Sequence, residues 1–158
     1  MEKLKYLGYS IVFQEVPDEV SLTLNISNCP YRCKSCHSKF LWENEGVPVT
    51  ESLPSLLEEY KGKITAVCFM GGDQNMEELT HLLELVHLYG YKTCLYTGSD
   101  NLKKFDELLP LLDYLKIGHY EEELGGLDSE TTNQRFYCIK HEPLELIDQT
   151  IKFRRHYE

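Results

Sequence analysis

Hydrophobic and polar residues follow two rhythms along the chain, and the shorter rhythm predicts strands. Residues 20–27, VSLTLNIS, alternate strictly, with apolar side chains at the even positions and polar ones at the odd positions. Residues 64–70, ITAVCFM, are almost continuously apolar, which is typical of a strand covered on both faces. Three further segments are predicted strands: residues 92–97, 113–118 and 135–139.

The longer rhythm predicts helices between these strands. Residues 75–90 carry an apolar stripe at helical spacing, Asn75 and Glu78 have the spacing of a capping box, and Gly90 suits the end of a helix. Three more helices are predicted: one beginning at Thr50 or Ser52, one from Asp100 to Pro110, and one over residues 143–158.

The order of these elements predicts the fold class. Strands alternate with helices, which indicates an α/β domain with a parallel sheet and crossover helices. The four or five predicted strands are too few for a closed eight-stranded barrel. Either an open, curved partial barrel or a short doubly wound sheet fits this order.

The polar side of the first predicted strand admits two interpretations. Ser21, Thr23 and Asn25 would be costly in a dry core, so they fit a polar cleft that holds a ligand. An antiparallel strand with one face in water fits the same alternation equally well.

Composition and charge narrow the class of protein. The chain has 158 residues, 42% of them hydrophobic, and a formal net charge of -10, which disfavours nucleic acid and anionic membranes as partners. The sequence has no apolar run long enough for a membrane span, and its start lacks the apolar core of a signal peptide. We therefore expect a cytoplasmic protein, in which six cysteines indicate metal binding or catalysis more than disulfides.

The chemically distinctive residues follow the predicted strands. Asn28 and three cysteines come after the first strand, and Gly71, Gly72 and Asp73 come after the second. Residues 97–100, TGSD, and residues 118–120, GHY, follow the next two. In parallel α/β folds ligands bind at the carboxyl ends of strands, so these loops are expected to gather on one face.

The three cysteines have the spacing C-x3-C-x2-C. They are Cys29, Cys33 and Cys36, and His37 follows too closely to join Cys36 on one zinc ion without strain. A structural zinc site needs four ligands, whereas a 4Fe–4S cluster held by three thiolates keeps one iron open for a substrate or cofactor. The other three cysteines, Cys68, Cys94 and Cys138, are predicted to be buried strand residues.

With this triplet the chain resembles the activating enzymes of anaerobic (class III) ribonucleotide reductase, small members of the radical S-adenosylmethionine (SAM) superfamily. The resemblance covers most of the chain. Its segments are FQEVPDEVSL, NCPYRCKSCHS followed by LWE, FMGGD, DYLKIGHYEEELGGL and TNQRFY. The sequence departs from the superfamily pattern at Ser35, where an aromatic residue is common, and at Asp73, where glutamate is common.

The resemblance implies a fold, two cofactors and their ligands. The fold would be a single radical SAM partial barrel, with a lead-in over residues 1–19, a βα core over 20–118 whose cluster loop is 28–38, and a C-terminal part over 119–158. Cys29, Cys33 and Cys36 would hold a 4Fe–4S cluster, and SAM would chelate the open iron. Gly71, Gly72 and Asp73 would hold the SAM amino group. From strand position we add Thr97 and Ser99 as candidates for the ribose, and Asn25 and Lys116 for the SAM carboxylate.

The resemblance also implies a reaction and two partners. Flavodoxin or ferredoxin would supply one electron, SAM would be cleaved to methionine and a 5′-deoxyadenosyl radical, and this radical would take a hydrogen atom from a glycine of the reductase large subunit. Arg32, Lys34, His37 and Lys39 are candidates for docking the acidic electron donor. Residues 132–135, TNQR, fit either a functional role or a structural turn.

Two other functions compete with this interpretation. The chain could activate another glycyl radical enzyme of the pyruvate formate-lyase type, or act on a small molecule. The alternative from a different class is a zinc-binding adaptor without catalysis.

Overall fold

The computed structural model describes residues 3–27 and 45–154. Within these ranges it contains one mixed eight-stranded sheet in the order β3-β1-β2-β4-β5-β6-β7-β8, together with two α-helices. The strands are β1 (Lys5–Val12), β2 (Ser21–Ile26), β3 (Val47–Pro48), β4 (Ala66–Met70), β5 (Lys92–Tyr96), β6 (Tyr114–Ile117), β7 (Arg135–His141) and β8 (Leu144–Asp148). The α-helices are α1 (Val49–Glu59) and α2 (Met76–Leu88), and short 3-10 turns span Leu102–Phe105, Leu109–Leu111 and Thr150–Phe153.

The predicted parallel sheet is confirmed only at its centre. Strands β2, β4, β5 and β6 run parallel, as crossover connections require. Antiparallel strands extend this centre on both sides, β1 and β3 on one side and β7 and β8 on the other. The protein is therefore a single α/β domain with a mixed sheet, and the expectation of an all-parallel sheet was wrong at both edges.

Both faces of the sheet are covered at β2. Leu22, Leu24 and Ile26 are fully or almost fully buried in the main core, which α1 and α2 complete. On the opposite face Ser21 and Thr23 are also buried, and the Thr23 hydroxyl donates a hydrogen bond to the Ser10 carbonyl at 3.2 Å. Their burial contradicts the interpretation of β2 as a strand with one wet face.

Helix α2 confirms the prediction made from its apolar stripe. The Asn75 side chain accepts a hydrogen bond from the Glu78 amide at 3.1 Å, and Gly90 has a φ of +86° just beyond the helix. In a complete capping box the Glu78 carboxylate would accept a hydrogen bond from the Asn75 amide. Here it accepts one from the Leu4 amide at 2.7 Å instead. This contact joins the helix to the N-terminal strand.

Two of the other predicted helices were wrong, and the third begins earlier than predicted. Helix α1 follows Pro48 and starts at Val49, ahead of Thr50 and Ser52. The segment from Asp100 to Pro110 forms 3-10 turns capped by Asn101, because the Asp100 carboxylate is bonded to His119 instead. Residues 144–148 form β8, since pairing with β7 satisfies their backbone groups and overrides the helical pattern.

A second, smaller core covers the other face of the sheet. It consists of Val16, Cys68, Cys94, Tyr114 and Phe136, which are all buried. Val16 comes from the segment that precedes β2, so this segment crosses the sheet face opposite the helices. Among the helices that the structure describes, none combines the length and hydropathy needed to span a membrane.

Candidate functional site

The loops that follow β4, β5 and β6 meet at one edge of the sheet, as the topology predicted. Backbone hydrogen bonds join each loop to the next strand or loop along the sheet. They run from the Gly71 amide to the Tyr96 carbonyl at 2.9 Å, from the Thr97 amide to the Lys116 carbonyl at 3.0 Å, and from the Gly118 amide to the Ser99 carbonyl at 2.7 Å. The edge is therefore a connected surface built from the loops that follow three neighbouring strands.

Gly71 and Gly72 give this edge its backbone shape. Their φ angles are +110° and +121°, which L-amino acids with a side chain rarely adopt. A Cβ atom at Gly72 would stand 3.4 Å from Leu79 Cδ1, and one at Gly71 would stand 3.4 Å from Ile26 Cβ. The conformation thus requires glycine at both positions mainly because of backbone strain, with close neighbours adding to it.

Asp73 is held by the protein itself. Its side chain is 1% exposed, and its Oδ2 atom accepts hydrogen bonds from the Thr97 hydroxyl at 3.0 Å and from Lys104 Nζ at 2.9 Å. We expected this carboxylate to hold the SAM amino group. The structure engages its Oδ2 atom in an internal network that joins the loops after β4 and β5, and the role of Asp73 toward SAM stays a prediction.

The two hydroxyl residues after β5 take part in the same network. Thr97 and Ser99 are both buried, and Thr97 Oγ1 accepts a hydrogen bond from the Ser99 amide at 3.0 Å while donating to Asp73. Ser99 Oγ accepts a hydrogen bond from the Asn101 amide at 3.2 Å. Both side chains therefore shape the loop, and a role toward the ribose stays a prediction.

Lys116 is a buried cation at the end of β6. It is 8% exposed, and its Nζ atom donates to the Thr97 carbonyl at 3.2 Å and to the Gly118 carbonyl at 2.9 Å. The same atom lies 5.8 Å from the centre of the Tyr96 ring. The ammonium group thus bridges two backbone carbonyls that lie just beyond the ends of β5 and β6.

Asn25 and Lys116 share one face of the sheet but stand apart on it. The register aligns Asn25 with Met70, Tyr96 and Lys116 in a row across four strands. Three strand spacings separate the ends of this row, which is roughly 14 Å along the sheet. The two residues that we expected to meet one carboxylate group therefore flank the site, and Met70 and Tyr96 between them are site residues that strand periodicity had not singled out.

A contact at Ser27 joins the glycine loop to the end of β2. Gln74 Nε2 donates to the Ser27 carbonyl at 2.9 Å, and its Oε1 atom accepts from the Gly72 amide at 3.2 Å. The Ser27 hydroxyl in turn donates to the Glu45 carbonyl. Ser27 and Glu45 are the residues on either side of segment 28–44, so the described chain leaves and returns beside Gly72.

The predicted cluster ligands lie outside the described residues. These are Cys29, Cys33 and Cys36, and the same holds for Ser35 and for the candidate docking residues Arg32, Lys34, His37 and Lys39. Their roles therefore stay predictions. In the parts of the chain that the structure covers, no group of three His, Cys, Asp or Glu side chains is arranged to hold a metal ion.

All three remaining cysteines lie on strands as predicted, but only Cys68 and Cys94 are buried, so the prediction of burial was wrong for Cys138. Cys68 and Cys94 are fully buried register partners on β4 and β5, while Cys138 on β7 is half-buried, and all three are free thiols. Burial raises the pKa of the Cys94 thiol, and the neighbouring Cys68 adds to this effect. Since the thiolate is the metal-binding form, burial makes Cys94 a poor ligand.

His119 closes the edge of the site beside β6. Its Nε2 atom lies 2.6 Å from Glu121 Oε1, and its Nδ1 atom lies 2.8 Å from Asp100 Oδ2. Hydrogen bonds to Glu121 and then to Asp100 raise the pKa of His119 above its usual value. The imidazolium form therefore ties the loop after β6 to the loop after β5.

Residues 132–135 support that loop from the other side. Gln134 Nε2 donates to the Gly118 carbonyl at 3.3 Å, and Asn133 Nδ2 donates to the His119 carbonyl at 3.1 Å. Thr132 and Gln134 are buried, and the Thr132 hydroxyl donates to the Gly125 carbonyl. This segment is a structural turn into β7 that also holds the edge of the candidate site.

The α/β sheet has glycine loops and one buried cation at this edge, and the sequence has a cysteine triplet in the segment that follows Ser27, a combination that points to the class of iron–sulfur proteins. Residues 19–137 match the family described as the 4Fe-4S single cluster domain, and this range includes the cysteine triplet and the three loops. The chain therefore belongs to the 4Fe-4S single cluster domain family and is a 4Fe–4S cluster protein. No curated protein and no solved structure shows a significant match to the chain.

Proposed function

We propose that this iron–sulfur protein is a radical SAM activating enzyme that generates a glycyl radical on the anaerobic ribonucleotide reductase. In this proposal Cys29, Cys33 and Cys36 hold the cluster, and SAM binds along the edge formed by the loops after β4, β5 and β6. Together the bound cluster and SAM would supply the one-electron cleavage of a sulfonium C–S bond that produces the radical. The protein would bind, orient and shield these groups.

One observation carries the proposal. The Gln74 side chain binds both the Ser27 carbonyl and the Gly72 amide, so the start of the cysteine-bearing segment is fixed to the glycine loop. A cluster with three thiolate ligands needs the ligand of its fourth iron close by. This contact therefore supports the proposal that SAM, as that ligand, binds at Gly71 and Gly72.

The chemistry of the edge fits SAM. The backbone at Gly71 and Gly72 has no side chains in the way, which suits close approach by an amino group. Lys116 supplies a buried cation toward a carboxylate-bearing ligand, and Asn25 supplies an amide on the same face. Tyr96 and Met70 give this face apolar surface that would exclude water from the reacting groups.

The parallel centre of the sheet supports a partial barrel as the finer description of the fold. A cleft of about 560 Å³ opens beside Tyr96, with Phe13, Pro17, Leu127 and Phe153 among its lining residues. Its size and mixed polar and apolar lining support a polypeptide substrate such as the glycine-bearing loop of a partner enzyme. Flavodoxin or ferredoxin is the proposed electron donor.

Anaerobic reconstitution tests the enzyme class. We expect about four irons per chain and, after reduction with SAM present, formation of methionine and 5′-deoxyadenosine. The Cys36→Ala variant should lose both the bound iron and the products, whereas Cys138→Ala, a matched change at a half-buried cysteine, should keep both. One tightly bound zinc and no iron in the wild-type protein would favour the adaptor instead.

The choice of partner is tested separately. The reduced enzyme with SAM is mixed with the anaerobic ribonucleotide reductase or with pyruvate formate-lyase, and the glycyl radical is measured by electron paramagnetic resonance (EPR). A radical on the reductase alone supports the proposal. A radical on pyruvate formate-lyase alone would assign the protein to another glycyl radical system.

A further inference from the structure

The pairing of Asp73 depends on a residue from the neighbouring loop. Lys104 lies in the 3-10 turn Leu102–Phe105, which the pattern had predicted to be α-helix. Phe105, the next residue, is fully buried and anchors this turn, while Lys104 Nζ lies 5.6 Å from the centre of the Phe105 ring. The turn thereby directs the Lys104 ammonium group at the Asp73 carboxylate.

The energetic balance around Asp73 makes this contact important. A carboxylate with only 1% of its side chain exposed needs a partner of opposite charge, because an isolated buried charge is strongly disfavoured. Lys104 and Thr97 both donate to the same oxygen, Oδ2, at 2.9 and 3.0 Å. Without the lysine, the loop would have to move to rehydrate Asp73.

Any such movement would change the glycine pair, since Gly72 directly precedes Asp73. Glycine is free to adopt many backbone conformations, so the φ angle of +121° at Gly72 is selected by the contacts around it. The Gly72 amide is itself bonded to Gln74, which in turn holds Ser27. The chain of contacts from Lys104 therefore ends at the start of the cysteine-bearing segment.

We propose that Lys104 is a positioning residue that fixes the SAM-binding shape of the loop Gly71–Asp73 by pairing with the buried Asp73. The inference rests on the proposed function, because it assigns Lys104 a role in the SAM site of that enzyme. It also explains why the shorter aspartate suits this chain. The carboxylate serves as an internal anchor between two loops, so the contact with the SAM amino group passes to the glycine backbone.

The test compares two neighbouring lysines in the cluster-loaded protein. Lys104→Met and Lys103→Met remove the same charge, but the Lys103 side chain is exposed, and this residue is bonded through its backbone, its amide to Asn101 and its carbonyl to the Asp106 amide. SAM affinity is measured anaerobically by equilibrium dialysis, with iron content as the parallel readout. We expect Lys104→Met to weaken SAM binding roughly tenfold, as loss of a supporting contact does, and Lys103→Met to stay within about twofold of the wild type.

Two further variants separate positioning from general instability. Lys104→Arg keeps the charge and should recover most of the affinity, including where Lys104→Met proves too unstable to measure. In an Asp73→Asn background, Lys104→Met should cause no additional loss, because the lysine acts through the carboxylate. Additive losses, or an unchanged affinity in Lys104→Met, would overturn the inference.

Failure of the inference and failure of the proposed function give different results. If the cluster-loaded wild-type protein does not bind SAM, the proposed function fails. If the wild type binds SAM and Lys104→Met binds it equally well with the same iron content, only the role of Lys104 is rejected.

Discussion

The two ends of the parallel strands both carry buried ionic groups, but they use them differently. At the amino ends, the Glu19 carboxylate is 7% exposed and accepts hydrogen bonds from Lys92 Nζ at 3.0 Å and from the Tyr114 hydroxyl at 2.7 Å. At the carboxyl ends, Asp73 is paired with Lys104 in a similar way. A buried carboxylate paired with a lysine is therefore not what distinguishes the candidate site from the rest of the fold.

The difference lies in the backbone beside each pair. The Glu19 network joins the side chains of three elements, and the nearby Asp113 accepts hydrogen bonds from His87 and the Thr93 amide. These hydrogen bonds pair the polar groups of the network with one another and connect neighbouring strands. The Asp73 network adjoins two consecutive glycines at positive φ, and it leads through Gln74 to Ser27. This glycine backbone beside a buried, paired carboxylate is what singles out the carboxyl ends as the candidate site.

The largest expected effect is a difference in SAM affinity between two glycine variants, one at the carboxyl ends of the strands and one at the amino ends. Gly72→Ala and Gly90→Ala both place a side chain at a positive φ, +121° and +86°, and strain the backbone by about 1–2 kcal/mol. A Cβ at Gly72 also meets Leu79 at 3.4 Å, whereas one at Gly90 has no neighbour within 4 Å. We expect Gly72→Ala to weaken SAM binding by about 10–100-fold and Gly90→Ala to lower only the melting temperature.

That comparison would fail if both alanine variants bound SAM like the wild type, or if Gly90→Ala were the weaker binder. Equilibrium dialysis for affinity and thermal unfolding for stability provide the two readouts. SAM affinity and stability are also the two quantities compared for Lys92→Met.

Removing the cation at the amino ends should affect stability alone. Lys92→Met leaves Glu19 buried with only Tyr114 and Thr65 as donors, and we expect a loss of about 1–2 kcal/mol because the Lys92 side chain is itself 55% exposed. Chemical denaturation measures this loss. If Lys92→Met keeps the SAM affinity of the wild type while Lys104→Met loses affinity, the distinction between the two ends is sharpened. An equal loss of SAM affinity in both variants would remove this distinction.

The smallest expected effects are pH dependences with opposite signs. Burial raises the pKa of Glu19, but hydrogen bonds from Tyr114, Thr65 and Lys92 outweigh it, so the net pKa is lowered. A lowered pKa in the folded state contributes stability above the ordinary value of 4.5, and that contribution is lost as the pH falls through the folded value. The amino-end network should therefore weaken in acid, and Glu19→Gln should flatten this part of the stability profile.

His119 at the carboxyl ends shows the reverse dependence. Its folded pKa is raised above 6.5 by Glu121 and Asp100, so its contribution is complete below that value and is lost as the pH rises through the folded value. The hydrogen-exchange protection of the loop at residues 118–120 should therefore show a step down as the pH rises above 6.5 and through the folded pKa of His119. His119→Gln should abolish this step, and an unchanged step in that variant would show that another group causes it.

The sequence predicted the centre of the molecule better than its edges. The strands at 20–27, 64–70, 92–97 and 113–118 were all found, the first from its alternation and the second from the apolar run that a parallel strand buried on both faces leaves. Strand β1 was missed because Gly8 and a register shift between Tyr6 and Tyr9 interrupt its alternation. Strand β8 was read as a helix because only its pairing with β7, a tertiary contact, decides its conformation.

The residues of the candidate site were likewise predicted only in part from the sequence. Loop position predicted that Gly71, Gly72, Asp73 and Lys116 share one edge, since carboxyl ends of parallel strands coincide. Pattern alone did not reveal that Lys104 and Gln74 organise this edge. Both act through side chains whose direction depends on the turn that carries them, and Lys104 lay in a segment predicted to be a different kind of helix.

The most direct test of the central claim is the EPR spectrum of the reduced, cluster-loaded protein with and without SAM. If SAM binds the open iron of a cluster held by Cys29, Cys33 and Cys36, adding SAM should change the signal, and Gly72→Ala should require about 10–100-fold more SAM for the same change. A spectrum of the wild-type protein that saturating SAM leaves unchanged would contradict the account.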